Sequence, residues 1–463
     1  MATTSSTSYD PTSTATKLAT AYTAGRQAMI TAQSTRAVAQ SKALSTLSSA
    51  MSEFSSALST FSSQKSMVAN SAKFDANVGT ATAGSTAIAG TYNFYVERLA
   101  TAGQVSYGGV TDTAAAGSGS LNVVLADGSN FNVNLTNSDN NHDGMLTAQE
   151  IASAINQAAD NNARVTASTL TVNGEPSLVL TAGNTGADNA VSLDTSGITN
   201  VDLKAMLDDP AKQQTLVAAQ DAVVWIGPQN TGTRVQQASN TFTLVDEVKM
   251  TFTRAQAAGE SPATLTVGLD KSATHANVQA FVDAYNKLST TLANLTAPGD
   301  PASGKDPGVF AQDSGLMALR SRMTATLRQL ADGQSLPTFG ITGQRDGTIA
   351  LDSARLDKAI TANPDALDTL FGSATVNNES GVLGDLDTLT TQWTNSVDGQ
   401  LNQRKSSVQK QQASLDDRQA QLDNQYNSAY KRYLTQFSQL QALQSQMAQN
   451  TGLFDAMFSQ SDS

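Results

Sequence analysis

The sequence predicts an α+β multidomain protein. Long N- and C-terminal helices form a coiled-coil or helical-bundle stem, and mainly β domains are inserted between them. Three observations predict it. Leu44, Leu47, Met51, Phe54, Leu58 and Phe61 follow one another at spacings of three and four, the seam of a coiled coil. Leu401, Val408, Leu415 and Leu422 recur at every seventh position, in a stretch, 401–448, that holds no Gly or Pro. Between these ends the apolar period drops to two, as in Leu121, Val123 and Leu125, the alternation of a strand with one buried face.

Residues 1–15 are rich in Ser and Thr and carry Pro11, so they are expected to be an unstructured export region. The N-terminal helical stem is expected over 16–78. Mainly β head domains, two in number, are expected over 79–272, after the small-residue junction TATAGSTAIAG at 80–90. Asp127–Gly128 separates Leu121–Leu125 from Phe131, Val133 and Leu135, a hairpin signal. Asn173–Gly174 does the same between Val165–Thr171 and Leu178–Leu180. Ile151, Ala154 and Ile155 mark a short helix, and further strands are read at Phe242–Leu244, Val248–Phe252 and Leu265–Leu269.

A helical domain with short strands is expected over 273–395. Phe281, Val282, Tyr285, Leu288, Leu292 and Leu295 mark its first helix, APGDPASGKDPG at 297–308 a loop, and Ile349 with Leu351 a short strand. The C-terminal coiled-coil helix and tail take 396–463. Its seam continues through Tyr426, Tyr430, Tyr433, Phe437, Leu440, Leu443 and Met447, and 401–448 would make a rod of about 70 Å. Polar residues such as Gln412 and Gln419 at the second seam position weaken a two-stranded zipper. This half is therefore expected to need the N-terminal helix or neighbouring copies as partner. The candidate assembly interface is Leu44, Leu47, Met51, Phe54, Leu58 and Phe61 with Leu422, Tyr426, Tyr433, Phe437, Leu440 and Met447.

The 463 residues carry a formal charge of −12, with 39% hydrophobic, 15% charged and only 5% aromatic residues. That balance suits long solvated helices and polar sheets better than one large globule. Acidic residues concentrate between Asp139 and Asp209, where the only Lys and Arg are Arg164 and Lys204. No dense basic stripe exists to neutralise phosphates, so no nucleic-acid partner is expected. No stretch is long and apolar enough for membrane insertion, and the polar N-terminus lacks the pattern of a cleaved signal peptide. Cysteine is absent, which removes disulfide and thiolate chemistry. No dinucleotide loop, Walker loop or nucleophile elbow is present. His142 and His275 stand isolated in polar sequence, both read as surface residues without the company of a catalytic or zinc site. The chain is not expected to be an enzyme.

One motif points to a cofactor. DNNHDGMLTAQE at 139–150 meets the twelve-residue calcium-loop pattern at every fixed place. Asp139, Asn141 and Asp143 would offer side-chain oxygens, Met145 its carbonyl, Thr147 a water-mediated contact and Glu150 two oxygens around a structural Ca²⁺. The competing reading is an Asx-rich turn in which Thr147 and Glu150 form a capping box.

Several segments, in order, resemble the bacterial flagellar filament cap protein family, also called hook-associated protein 2. They are AGTYNFYVERLA at 89–100, LVLTAGNTGADNAVSLD at 178–194, SNTFTLVDEVKMTF at 239–252, AFVDAYNKLSTTLANLT at 280–296, FGITGQRDGTIALDSARLDKAITANPDALDTLFG at 339–372 and YKRYLTQFSQLQALQSQMAQNTGLFDAMF at 430–458. Two stretches depart from the family pattern. SYDPTSTATKLATAY at 8–22 stands where an Ile-Val-rich turn is usual, and Gly227–Pro228 replaces an Asp-Gly turn. The resemblance implies a secreted, extracellular protein at the flagellum tip, exported by the flagellar type III apparatus. It implies a homo-oligomer of five or six subunits whose helical ends contact flagellin, helping it fold and insert and preventing its loss, so that the cell stays motile. It also implies recognition of about 415–463 by an export chaperone, and some members contact host mucus or surfaces. The alternatives are another exported filament or hook–filament junction protein, against which the 339–372 segment speaks, and a surface adhesin, for which Trp225 and Tyr107 are the only aromatic hints.

Overall fold

The structure, a computed structural model, describes residues 10–172, 174–328, 333–375 and 378–459. The chain divides into two compact units: a helical unit of residues 1–67 and 275–463, and an insert of residues 68–274. Helices are α1 (Pro11–Ser63), α2 (Ala148–Gln157), α3 (Val201–Asp208), α4 (Lys271–Leu295), α5 (Ser314–Thr326), α6 (Ser353–Ala362), α7 (Asp365–Phe371), α8 (Gly381–Thr394) and α9 (Gln400–Ser459).

The expectation of an unstructured 1–15 is corrected from Pro11 onward; residues 1–9 lie outside the described residues. Proline breaks a helix interior, but at the first helical position its missing N–H has no bond to lose. Asp10 caps α1 there, accepting from the Thr12 and Ser13 amides at 3.1 and 3.0 Å. The expected stem boundary at 78 is also corrected. The apolar stripe runs out at Phe61, Lys65 turns the chain with φ +62°, and Asn70–Phe74 is a strand paired with Ala263–Leu269. That partner is distant in sequence, so no local pattern announces it.

In the helical unit, α1 and α9 run antiparallel. Lys405 donates to Ser48 at 3.0 Å, Gln419 exchanges hydrogen bonds with Gln27 at 2.9 and 3.0 Å, and Gln425 accepts from Arg26. The C-terminal half of α1 meets α4 through edge-on rings, and α4 meets α7 in the same way. Phe54 lies 6.4 Å from Tyr285, Phe61 lies 6.3 Å from Phe281, and Phe281 lies 4.9 Å from Phe371. Asp313 caps α5 through the Leu316 amide at 3.0 Å and takes both arms of the Arg404 guanidinium on α9. Burial pushes the Asp313 carboxyl up, but Arg404 and the Leu316 amide outweigh it and hold it below the usual carboxylate range. Arg404 also lies over the Trp393 ring, 5.2 Å from its centre.

The insert holds two cores. A five-stranded antiparallel sheet, in the order Asn70–Phe74, Ala263–Leu269, Gly90–Arg98, Ala222–Ile226 and Thr233–Gln237, shares one with the sheet Thr241–Val245, Val248–Phe252 and Gly79–Ala83. Phe74, Phe94, Phe242 and Phe252 meet at its centre. The other core lies under a four-stranded sheet in the order Gln213–Val217, Gln104–Gly108, Glu175–Ala182 and Val165–Val172, with Val191–Asp194, Ser120–Leu125, Asn130–Asn134, α2 and α3 packed around it. Both hairpins read from the sequence are present. Gly128 and Gly174 take φ +86°, the left-handed backbone their turns require, while residue 173 lies outside the described residues.

Phe281→Ala removes the ring shared by α1, α4 and α7. It should cost the helical unit about 3–5 kcal/mol, read as a lowered denaturant midpoint. Lys287→Ala, which breaks only the exposed ion pair with Glu53, should leave that midpoint in place.

Candidate functional site

The two seams meet different fates. Leu44, Leu47, Met51, Phe54, Leu58 and Phe61 are all buried within this chain, at 7% exposure or less. The expectation that this seam is a surface for other copies is corrected: α4, α8 and α9 already cover it. On α9, Leu401, Val408, Leu415 and Leu422 are buried as well. Towards its own N-terminus α1 buries small residues, Ala15, Ala19, Thr23 and Ala37, which let two long helices approach closely. The partner demanded by the polar second seam position is therefore α1, since Gln419 pairs with Gln27.

The rest of the α9 seam is not covered in this way. Tyr426, Tyr433 and Phe437 are half-buried, with Tyr426 stacked on Tyr430. Leu440, Leu443, Met447, Leu453 and Phe454 are exposed, from 41% for Leu440 to 64% for Leu453. The cause is register. Carrying the α1–α9 pairing back from Ser48 and Gln27 sets Pro11 opposite about residue 440. Beyond that point the described α9 continues without the described α1 beside it. On α1 itself, Leu18, Tyr22, Met29 and Val38 also face solvent. Shallow grooves flank the helix pair at Leu422, one lined by Ala24, Ala28 and Tyr426, the other by Met29, Ile30 and Gln425.

In the 139–150 loop, Asp139 accepts from the His142 and Gly144 amides at 2.7 and 2.9 Å. Asn141 accepts from the Asp143 amide at 2.9 Å, and Asp143 from the Met145 amide at 2.8 Å. His142 and Gly144 take φ +62° and +82°. Leu146 is fully buried and α2 starts at Ala148, capped by Thr147. The capping box is formed in full. The Glu150 carboxylate accepts from the Thr147 amide at 3.0 Å, the Thr147 hydroxyl at 2.9 Å and the Asn140 amide at 3.0 Å. Burial pushes its pKa up, and these hydrogen bonds more than offset that, leaving it below the ordinary value. Among the described residues no three His, Asp or Glu side chains converge as a metal site.

The remaining single residues divide. His142 is exposed, but His275 is partly buried and lies 2.9 Å from Asp357, so it is not the isolated surface residue expected. Tyr107 is buried, and Trp225 is half-buried with its indole N–H donating to Glu97 at 2.6 Å. Sequence reasoning missed the pairing of Asp313 with Arg404. The run Asp313, Ser314, Gly315 and Leu316 carries an N-cap signal that could have found the first. No local signal exists for Arg404 as its partner, because the two residues are far apart in the chain.

The buried and exposed seams should respond differently to a charge. Leu44→Asp should unfold the helical unit, because an unpaired carboxylate would sit in its core. Leu440→Asp should leave the melting temperature of the isolated chain within about 2 °C of wild type, as is usual for substitutions at exposed positions. Leu440 is already 41% exposed. Circular dichroism melts of both variants check this.

Residues 7–103 match the flagellar hook-associated protein 2 N-terminus, and residues 219–449 match the flagellar hook-associated protein 2 C-terminus. The chain is 31% identical over 381 residues to the lateral flagellar hook-associated protein 2 of Vibrio parahaemolyticus, covering 81% of this chain and 83% of that one. It is 28% identical over 397 residues to the B-type flagellar hook-associated protein 2 of Pseudomonas aeruginosa, covering 82% and 81%. The crystal structure of the flagellar cap protein FliD D1-D2-D3 domains from Escherichia coli superposes with a TM-score of 0.63 at 25% identity, covering 79% of this chain and 99% of that one. These relatives are structural proteins of the flagellum and not a known enzyme family, and among the described residues no helix is long and apolar enough to cross a membrane. The chain belongs to the flagellar hook-associated protein 2 family, whose role is in the flagellar filament cap.

Proposed function

We propose that this protein works at the distal tip of the filament, outside the cell, as a ring of five or six copies. It holds flagellin at the growing end, helps each subunit fold and insert, and prevents its loss. The observation that carries this reading is the uncovered end of α9. A helix with Leu440, Leu443, Met447, Leu453 and Phe454 in solvent is poorly suited to remain alone. The helical ends of flagellin, or an export chaperone at about 415–463 before secretion, supply the apolar surface it lacks. Export uses the flagellar type III apparatus and needs residues 1–20. Adhesion to mucus or other surfaces through the insert is a weaker reading, because Tyr107 is buried and Trp225 is tied to Glu97.

Sedimentation at high micromolar concentration should show a species of five or six copies, and monomer alone at that concentration counts against the ring. In cells, Leu440→Asp should release flagellin into the medium and reduce swimming. Deleting residues 2–20 should trap the chain in the cytoplasm. Normal secretion of that deletion places the export signal elsewhere.

We also propose that the 139–150 loop takes a structural Ca²⁺. The bond from the Glu150 amide to the Thr147 hydroxyl, 3.2 Å, can persist while the Glu150 carboxylate swings from the capping box to the ion. Calorimetry and melting in calcium against chelator test it. Heat of binding and a raised melting temperature, both lost in Glu150→Gln, are expected. Gln still satisfies the capping box, so an unchanged response in that variant shows calcium bound without Glu150 and overturns this site, while no response in the wild type leaves the capped turn as the whole explanation.

A further inference from the structure

The chain leaves the helical unit twice, after Met67 and before His275. Between Phe61 and Met67 the sequence is Ser62, Ser63, Gln64, Lys65 and Ser66, with no large apolar side chain to anchor it. Lys65 there takes φ +62°, a left-handed backbone that disfavours a residue with a Cβ. Met67 is buried at the end of this run, and hydrogen bonds hold the polar residues before it. Asp368 on α7 accepts from the Ser66 hydroxyl at 2.6 Å and from the Met67 amide at 2.7 Å. The Ala374 amide, just past α7, donates to the Ser62 hydroxyl at 2.7 Å. Asn277 on α4 donates to the Met67 carbonyl at 3.2 Å, which ties the first exit to the second. The second is held in turn by His275, 2.9 Å from Asp357 on α6.

We infer that Asp368 and Asp357 are positioning residues that clamp both exits onto the helical unit. α6 and α7 supply one carboxylate to each, and Asn277 joins the two. Within the insert the same two segments remain paired, through the Ala69 amide on the Thr274 hydroxyl at 3.0 Å and the Asp270 amide on the Ala69 carbonyl at 2.8 Å. A chain whose clamp is broken keeps both cores but loses the fixed path of its exits. The cellular consequence, impaired swimming, rests on the cap reading above; the local consequence does not.

Hydrogen exchange on the full chain tests the clamp, comparing wild type with Asp368→Ala, Asp357→Ala and the double variant. Exchange at Met67 and neighbouring amides should rise about tenfold in Asp368→Ala. Amides at 275–278 should rise in Asp357→Ala, and both regions in the double variant, with α8 and α9 unchanged. Ser66→Ala, which leaves α7 intact, should give a smaller rise at the first exit alone. Wild-type exchange at Met67 in Asp368→Ala overturns the clamp. So does a uniform rise throughout α1 and α4, because that is general destabilisation. If exchange rises locally at an unchanged melting temperature but swimming is normal, the clamp stands as a local fact and its role in the cap is overturned.

Discussion

The antiparallel pairing of α1 with α9 is the constraint on which the helical unit depends, because it joins a segment before the insert to one after it. In a folded protein most of a helix's stability comes from covering its apolar face. α1 buries Ala15, Ala19, Thr23 and Ala37 along the stretch that pairs with α9, and larger residues from Leu44 onward, where the rings of α4 join. Small residues suit a close two-helix contact, and large ones fill the space among several helices.

That gradient separates surface already used from surface still available. The Leu44–Phe61 seam is spent inside the chain, so it cannot recruit a partner without unfolding. The end of α9 carries the same spacing of apolar residues but lies beyond the start of the described α1. Its availability follows from the register of the helix pair and not from any difference in the character of its side chains.

The insert meets a different constraint, the free edges of its sheets. Asn156 on α2 bonds both the amide and the carbonyl of Ala167 at 2.8 Å, and Asn161 does the same for Val165 at 2.9 and 2.8 Å. Two side-chain amides thus stand in for a neighbouring strand at the start of the edge Val165–Val172, whose remainder is exposed. The opposite edge strand, Gln213–Val217, is exposed along its length. α2 and the turn after it therefore cover the first residues of a sheet edge.

Much of this was legible in the sequence by itself. Heptad spacing set the two long helices, alternation set the strands around Asp127–Gly128 and Asn173–Gly174, and Thr147 with Glu150 marked the start of α2. These signals are local, since period and capping depend on residues a few positions apart. Tertiary structure decided what depends on distant partners: that Asn70–Phe74 is a strand beside Ala263–Leu269, that Pro11 opens a helix long enough to reach α9, and that Asp368 receives Ser66 and Met67. It also decided which half of a continuous apolar seam is covered. A seam is a property of one helix, whereas its burial depends on where the other helix begins.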